Sequence, residues 1–90
     1  MPTVRFTANL KRFYPDLSEV KLDSLDLNEI LTELENRYKG LKDYVVDEQG
    51  QLRKHVNIFI GDELIRDRET LSDTIGPNDE IYIMQALSGG

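Results

Sequence analysis

The sequence predicts an α+β fold in which one main helix lies across a mixed sheet of four to five strands. Three observations support this prediction. Runs of alternating apolar residues occur near both ends of the chain, a long amphipathic segment lies between them, and the most β-prone run follows that segment. With 90 residues, the chain is long enough for one domain whose core needs no disulfide.

The first part of the chain predicts two strands, over residues 3–8 and 18–22, because apolar and polar residues alternate in both. Residues 14–16 (Tyr-Pro-Asp) break the chain between them. The connection is therefore longer than a tight two-residue hairpin loop. The side chains expected to face inward are Val4, Phe6, Val20 and Leu22.

The main helix is predicted to begin after Asp26, which stands at an N-cap position. Glu29 follows three residues later, at the spacing of a capping box. The apolar residues of this segment recur at helical spacing and form one stripe, made of Leu27, Ile30, Leu31, Leu34 and Tyr38. Gly40 stands where a helix commonly ends with a positive φ, and Leu41 can fold back onto the stripe.

The second half of the chain predicts shorter elements. Gly61 and Asp62 form a two-residue hairpin loop between two strands. In chain order, the predicted elements are a helical turn within 41–47, an interior strand at 56–60, a short strand at 63–65, a single helical turn within 70–75 and a last strand at 80–85.

This order of elements fits a β-grasp (ubiquitin-like) fold. In that fold the first and last strands, which are far apart in the sequence, lie side by side and parallel at the centre of the sheet. The long helix lies diagonally across them. We expect residues 1–84 to form this domain and residues 85–90 to form a flexible tail.

The composition excludes several classes of function. The 17 acidic and 11 basic residues give a net charge of −6, which argues against nucleic acid as a partner and favours a basic groove on another protein. Solubility alone explains the charge equally well. The absence of Cys excludes thiol nucleophiles and Cys-ligated metals. With no signal peptide and no long apolar run, we expect a cytoplasmic protein without a membrane partner.

The sequence ends with Gly89 and Gly90. Glycine has no Cβ, so such a segment can pass a narrow channel and leave its carboxylate open to reaction. Extended at ~3.3 Å per residue, residues 87–90 reach roughly 13 Å. That length lets the tail enter a partner's active site while the domain stays outside. A frayed chain end, or a chain cut at a linker, also explains the two glycines.

Four stretches of the sequence resemble the MoaD/ThiS family of ubiquitin-like sulfur carrier proteins. They are residues 34–41 (Leu-Glu-Asn-Arg-Tyr-Lys-Gly-Leu), residues 53–60 (Arg-Lys-His-Val-Asn-Ile-Phe-Ile), residues 76–81 (Gly-Pro-Asn-Asp-Glu-Ile) and the terminal Gly89-Gly90. The first two resemble the longer carriers of cysteine biosynthesis more than the small subunits of molybdopterin synthase.

The resemblance implies a function for the tail. An E1-like adenylating and sulfurtransferase partner uses ATP to adenylate the carboxylate of Gly90. Sulfide or a persulfide then displaces AMP, and the thiocarboxylate donates its sulfur within an acceptor synthase. Gly89 passes through the channel, and Ser88, Leu87 and Ala86 line its mouth. The tail lacks the prolines that family tails often contain, which leaves the acceptor open.

Three further residues are candidates for partner docking. If Ile81 and Ile83 face the core, Tyr82 and Met84 face the opposite side of the sheet, and Phe59 lies on that same outer face. An exposed apolar group beside a reactive tail suits contact with the activating enzyme. Coverage of the second face of the sheet explains these residues equally well.

No catalytic or metal site is predicted within the chain. His55, the single histidine, lacks partners for a triad or a metal site, so we expect a structural or solvated role. The acids at 43, 47 and 48 predict a solvated loop, and the alternating charges at 66–69 predict a wet turn. We therefore expect a carrier on which enzymes act, with no bound cofactor.

The sequence leaves several functions open. The favoured one is a sulfur carrier of the cysteine-biosynthesis type. The others are the small subunit of molybdopterin synthase, a protein modifier conjugated to lysine through Gly90, and a β-grasp binding module whose glycines are incidental. We expect the free protein to be a monomer. The sequence does not decide whether the C-terminus needs proteolytic processing.

Overall fold

The computed structural model describes residues 1–12 and 14–85. This part of the chain forms five strands and three helices. In order, they are β1 (Thr3–Phe6), α1 (Ala8–Lys11), β2 (Val20–Lys21), α2 (Leu27–Arg37), α3 (Leu41–Val45), β3 (Val56–Ile60), β4 (Glu63–Leu64) and β5 (Glu80–Gln85).

The five strands form one mixed sheet in the order β2-β1-β5-β3-β4. Strands β1 and β5 run parallel, with Thr3 opposite Glu80 and Phe6 opposite Ile83, and the other neighbouring strands are antiparallel. β5 therefore occupies the centre of the sheet, and the predicted pairing of the first and last strands is confirmed. The fold is the β-grasp arrangement expected from the sequence.

Helix α2 begins as predicted, with Asp26 as its N-cap. One carboxylate oxygen of Asp26 accepts hydrogen bonds from the backbone N–H of Asn28 (2.8 Å) and Glu29 (3.4 Å). The reciprocal half of the predicted capping box is absent, because the Glu29 carboxylate accepts from the Ser24 hydroxyl instead (2.7 Å). All four aliphatic residues of the predicted stripe are buried, and Tyr38 packs against their edge.

The junction between α2 and α3 is closed by a side-chain clamp. Gly40 has φ +88°, as its place at the end of α2 predicts. The Glu35 carboxylate accepts from the backbone N–H groups of Gly40 and Lys42, both at 2.9 Å. These bonds stabilise the charged form and lower the pKa of Glu35. A Cβ added to Gly40 would lie 3.0 Å from the hydroxyl of Tyr14, so this close approach also requires glycine.

The core lies between the inner face of the sheet and the helices. Its buried apolar side chains come from every strand except β4 and from all three helices, together with the loops. The sheet contributes Val4, Phe6, Val20, Val56, Ile58, Ile81 and Ile83, and helices α2 and α3 contribute Leu27, Ile30, Leu31, Leu34, Leu41 and Val45. The predicted inward positions are thus confirmed.

Two stretches differ from the sequence prediction. Residues 8–11 form the short helix α1, where a strand with a following loop was expected; Leu10 on this helix is fully buried. Residues 70–75 do not form the predicted helical turn. Leu71 is buried there with φ +55°, a conformation outside the right-handed helical region. The buried Leu71 thus has a backbone conformation that leucine rarely adopts, and a right-handed helical turn cannot continue through it.

The predicted wet turn at residues 66–69 is confirmed, with Arg66 and Glu69 exposed, and the loop is built around Asp67. Its carboxylate accepts from the N–H groups of Thr70 (2.9 Å) and Glu69 (3.1 Å) and from the hydroxyls of Thr70 and Ser72. These bonds favour ionised Asp67 and lower its pKa. The Asp73 carboxylate in turn accepts from the N–H groups of Arg66 and Asp67.

Candidate functional site

The end of β5 is the point from which the predicted tail continues. Gln85 is the last residue of this strand and stands opposite Val56 of β3. Its backbone N–H also donates to the Thr7 hydroxyl on the other side (3.2 Å). β5 therefore has a bonding partner on both sides up to residue 85. The sequence prediction had placed residue 85 both in the last strand and in the tail.

The five tail residues predicted as functional lie outside the described residues. These are the reactive Gly90 and the passage residues Gly89, Ser88, Leu87 and Ala86. What the structure fixes is their starting point, at the end of the central strand of the sheet. The division into domain and tail remains a prediction.

The predicted docking residues share the outer face of the sheet. Tyr82 and Met84 are each 39% exposed, and Phe59 is half-buried. Phe59 stands directly opposite Tyr82, and Asn57 stands opposite Met84. Side chains at such paired positions lie within contact distance of one another. The three residues therefore form one surface, and we call Phe59, Tyr82, Met84 and the adjacent Leu64 the outer apolar face.

Leu64 was not identified from the sequence as a docking residue. It pairs with Phe59 and is 48% exposed, so it extends the row across β4. The sequence contained a usable signal, because the two-residue loop at Gly61 and Asp62 fixes the register that puts Leu64 opposite Phe59. On the other side of Tyr82, Arg5 of β1 forms ion pairs with Glu80 (2.9 Å) and Glu19 (3.6 Å).

An open pocket of about 350 Å³ adjoins the end of β5. It is lined by Asp43, Tyr44, Arg53, His55 and Gln85. The Nε–H of Arg53 donates to the backbone carbonyl of Asp43 (2.7 Å). His55 is half-buried at the rim, and its placement beside Gln85 could not be read from its isolation in the sequence. We call this pocket the tail-root pocket.

Arg68 fixes the strand segment next to this pocket. Its guanidinium donates to the carbonyls of Arg53 (2.6 Å) and Val56 (2.9 Å) and to the side-chain oxygen of Asn57 (3.0 Å). Val56 and Asn57 are the residues paired with the last two residues of β5. The loop around Asp67 thus braces the sheet beside the point where the tail begins.

Within residues 1–12 and 14–85, no helix is long and apolar enough to cross a membrane. Across those same residues, no group of three or more acidic or histidine side chains is arranged to hold a metal ion.

The comparison with protein families extends over nearly the whole chain. The model of the ThiS family matches residues 4–90, a range that includes the final glycines. Among curated proteins, the sulfur carrier protein CysO of Mycobacterium tuberculosis is 32% identical over 66 residues, which cover 71% of each protein.

Solved structures give a consistent result. A chain in the crystal structure of the Amycolatopsis orientalis BexX/CysO complex matches this chain over the full length of both, with a TM-score of 0.84 and 26% identity. The solution structure of small archaeal modifier protein 1 (SAMP1) of Methanosarcina acetivorans has a TM-score of 0.76 and 29% identity. That match covers 99% of this chain and 95% of the other.

Proposed function

The chain belongs to the ThiS family and is a sulfur carrier protein of the cysteine-biosynthesis type, and we propose that the carboxylate of Gly90 is the group that accepts the sulfur. The observation that supports this most strongly is the family match that continues to residue 90, in a sequence that ends Ser88-Gly89-Gly90. The CysO relatives favour this function over the small subunit of molybdopterin synthase.

The proposed chemistry begins with an E1-like partner that binds ATP. A carboxylate oxygen of Gly90 attacks the α-phosphorus of ATP, and pyrophosphate leaves. Sulfide then attacks the carbonyl carbon of the acyl adenylate, the carbon–oxygen bond to AMP breaks, and a thiocarboxylate remains. A persulfide in place of sulfide gives an acyl disulfide, which a second thiol must reduce.

The fold supports this scheme by holding the chain firmly until the tail begins. β5 is bonded on both sides through Gln85, so a partner that grips the sheet also fixes the starting point of the tail. Residues 86–90, extended at ~3.3 Å each, reach roughly 16 Å beyond the strand. That distance lets Gly90 react inside a partner while the domain stays outside. Gly89 lets the chain pass a narrow channel, whose mouth contacts Ser88, Leu87 and Ala86.

The outer apolar face gives the partner its contact surface. Tyr82 and Met84 belong to the strand that leads into the tail, and Phe59 and Leu64 continue the surface across β3 and β4. Burial of such a surface, with an aromatic side chain near its centre, commonly supplies most of the binding energy of an interface. An acceptor synthase binds the same carrier in turn, and the carrier itself catalyses no reaction.

The proposed scheme also has consequences for the cofactor, the cellular location and the oligomeric state of the protein. Activation consumes ATP, which the partner binds, so the carrier holds no cofactor of its own. A supply of ATP and of partner enzymes places the reaction in the cytoplasm. The carrier works as a monomer when free, because the outer apolar face must be open to successive partners.

Intact-mass spectrometry tests the proposal. The chain, incubated with the host's E1-like enzyme, ATP and sulfide, should gain ~16 Da as one oxygen is replaced by sulfur. Deletion of Gly90 should abolish this gain without a loss of thermal stability, because the buried core of the described residues lies within 4–83. Glu33→Gln, an exposed position on helix α2, is the control and should load normally.

Two results would contradict the proposal. One is a chain that stays unmodified with every activating enzyme of the host, which would leave a β-grasp binding module with incidental glycines. The other is a large fall in melting temperature on deletion of Gly90, which would show that the tail is part of the folded core.

A second candidate function is conjugation to other proteins. It is favoured by the likeness to SAMP1, which is named a modifier protein. Activation would be the same, and a lysine amine would displace AMP in place of sulfide, giving an isopeptide bond at Gly90. Mass spectrometry of tryptic peptides from the host would then show lysines that carry the C-terminal residues of this chain.

A further inference from the structure

We propose that the tail-root pocket binds a carboxylate side chain of the partner that receives the tail, with Arg53 as its ligand. This inference rests on the proposed function, because it concerns the partner that takes up residues 86–90. The pocket lies at the last residue of β5, so any protein that encloses the tail must pass beside it.

The Arg53 guanidinium is oriented by one hydrogen bond but only partly used. Its Nε–H is used by the Asp43 carbonyl, which orients the group and leaves the two terminal amino groups for another acceptor. Both ion pairs in the described part of the chain involve Arg5, so no carboxylate within residues 1–12 and 14–85 forms an ion pair with Arg53. A planar guanidinium with two open amino groups is the geometry that binds a carboxylate through two parallel hydrogen bonds.

Arg53 is held in place before a partner binds. Arg68 binds the carbonyl of Arg53 itself at 2.6 Å and that of Val56 at 2.9 Å. The position of Arg53 is thus fixed from its backbone by Arg68 and from its side chain by Asp43. A side chain that is already ordered loses less entropy when it binds.

The positive charge at the end of β5 contrasts with the negative net charge of the whole chain. The chain carries a net charge of −6, yet the guanidinium groups of Arg53 and Arg68 both lie beside the end of β5. The acidic surface as a whole favours a basic groove on the partner. A single carboxylate in that groove, placed opposite Arg53, would fix the register of docking at the mouth of the channel. The acidic side chains of Asp43, in the same pocket, and of Asp47 and Glu48, which line a neighbouring pocket with Arg53, oppose this contact in part.

The test compares Arg53→Gln with Arg53→Lys in ATP–pyrophosphate exchange by the host's E1-like enzyme. We expect Arg53→Gln to raise KM for the carrier roughly tenfold with kcat unchanged, as loss of one charged contact predicts. The salt dependence of KM should also become weaker. Arg53→Lys keeps the charge but loses the two parallel hydrogen bonds, so its KM should lie between those of wild type and Arg53→Gln, at about threefold above wild type.

Two controls define the outcome. Arg37→Gln removes an equal charge from the last turn of α2, at a different pocket, and should leave KM within about twofold. Asp43→Asn removes a competing carboxylate and should leave KM unchanged or lower. Equal effects of Arg53→Gln and Arg37→Gln would overturn the inference, as would equal effects of Arg53→Gln and Arg53→Lys, which would show a structural role for the Arg53–Asp43 bond.

The failure of this inference can be told from the failure of the proposed function. A wild-type chain that no activating enzyme of the host adenylates would overturn both. Normal activation of the wild type with no distinction among the Arg53 variants would overturn the inference about the pocket alone.

Discussion

The inward and outward side chains of β5 alternate along the same strand but lie in opposite environments. Ile81 and Ile83 are fully buried against the helices, whereas Tyr82 and Met84 are each 39% exposed on the outer face. The inner pair belongs to the core that holds the sheet together. The outer pair contributes little to that core, so its apolar character is available for a partner. If the outer pair binds a partner as proposed, one strand separates stability from recognition by the direction of its side chains.

The largest expected effect comes from truncation on the inner face. Ile83→Ala should lower the free energy of unfolding by about 2–5 kcal/mol, because it leaves a cavity at the centre of the sheet. Met84→Ala, one residue further along, should cost less than about 1 kcal/mol. Urea unfolding of both variants measures the difference. Equal losses of unfolding free energy in the two variants would show that the inner and outer side chains of β5 contribute equally to stability.

The next effect concerns the outer face. The double variant Tyr82→Ala and Met84→Ala should raise KM for the activating enzyme about tenfold or more, since central aromatic contacts dominate binding. Its kcat and its midpoint of unfolding should change little. Lys21→Ala, on the same face but at the β2 edge, is the control and should leave KM near wild type. Loss of stability without a change in KM would show that Tyr82 and Met84 stabilise the fold and do not bind the partner.

The smallest expected effect is a decrease in stability at low pH. The pKa values of Glu35 and Asp67 are lowered in the folded chain by hydrogen bonds to their carboxylates. Their contribution is therefore complete above the ordinary values of 4.5 and 3.8 and is lost as the pH falls through the lowered folded values. Urea unfolding at pH 7 and at pH 3 should show a smaller loss for Glu35→Gln than for wild type.

Glu33→Gln is the matched control for the acid experiment. It removes an exposed carboxylate from the same helix, where no hydrogen bond to its side chain occurs among the described residues. This variant should lose as much stability at pH 3 as wild type does. A Glu35→Gln variant with an unchanged loss would show that the clamp at the α2–α3 junction does not depend on charge.

The sequence predicted those parts of the fold that depend on local periodicity. The apolar stripe of α2, the alternation along β5 and the two-residue loop at Gly61 were each visible in a short window, and the structure confirms them. The outer positions of Phe59, Tyr82 and Met84 followed from the same alternation.

The remaining parts depend on contacts between residues that are distant in the sequence. Arg68 binds carbonyls 12 and 15 residues away, and nothing in the charge pattern of residues 66–69 indicates those acceptors. Leu71 takes its left-handed conformation because the core holds its side chain. The tail-root pocket likewise joins Asp43, Arg53 and Gln85, which meet only after the sheet has formed.

The parallel pairing of β1 with β5 has a consequence for synthesis of the protein. The centre of the sheet joins residues 3–6 to residues 80–83, so it closes only after nearly the whole described chain has left the ribosome. Contacts between such distant segments form late, because a long loop must be closed first. A nascent chain therefore offers no finished outer apolar face, and in the proposed scheme the activating enzyme can bind only after the strand that leads into the tail has been made.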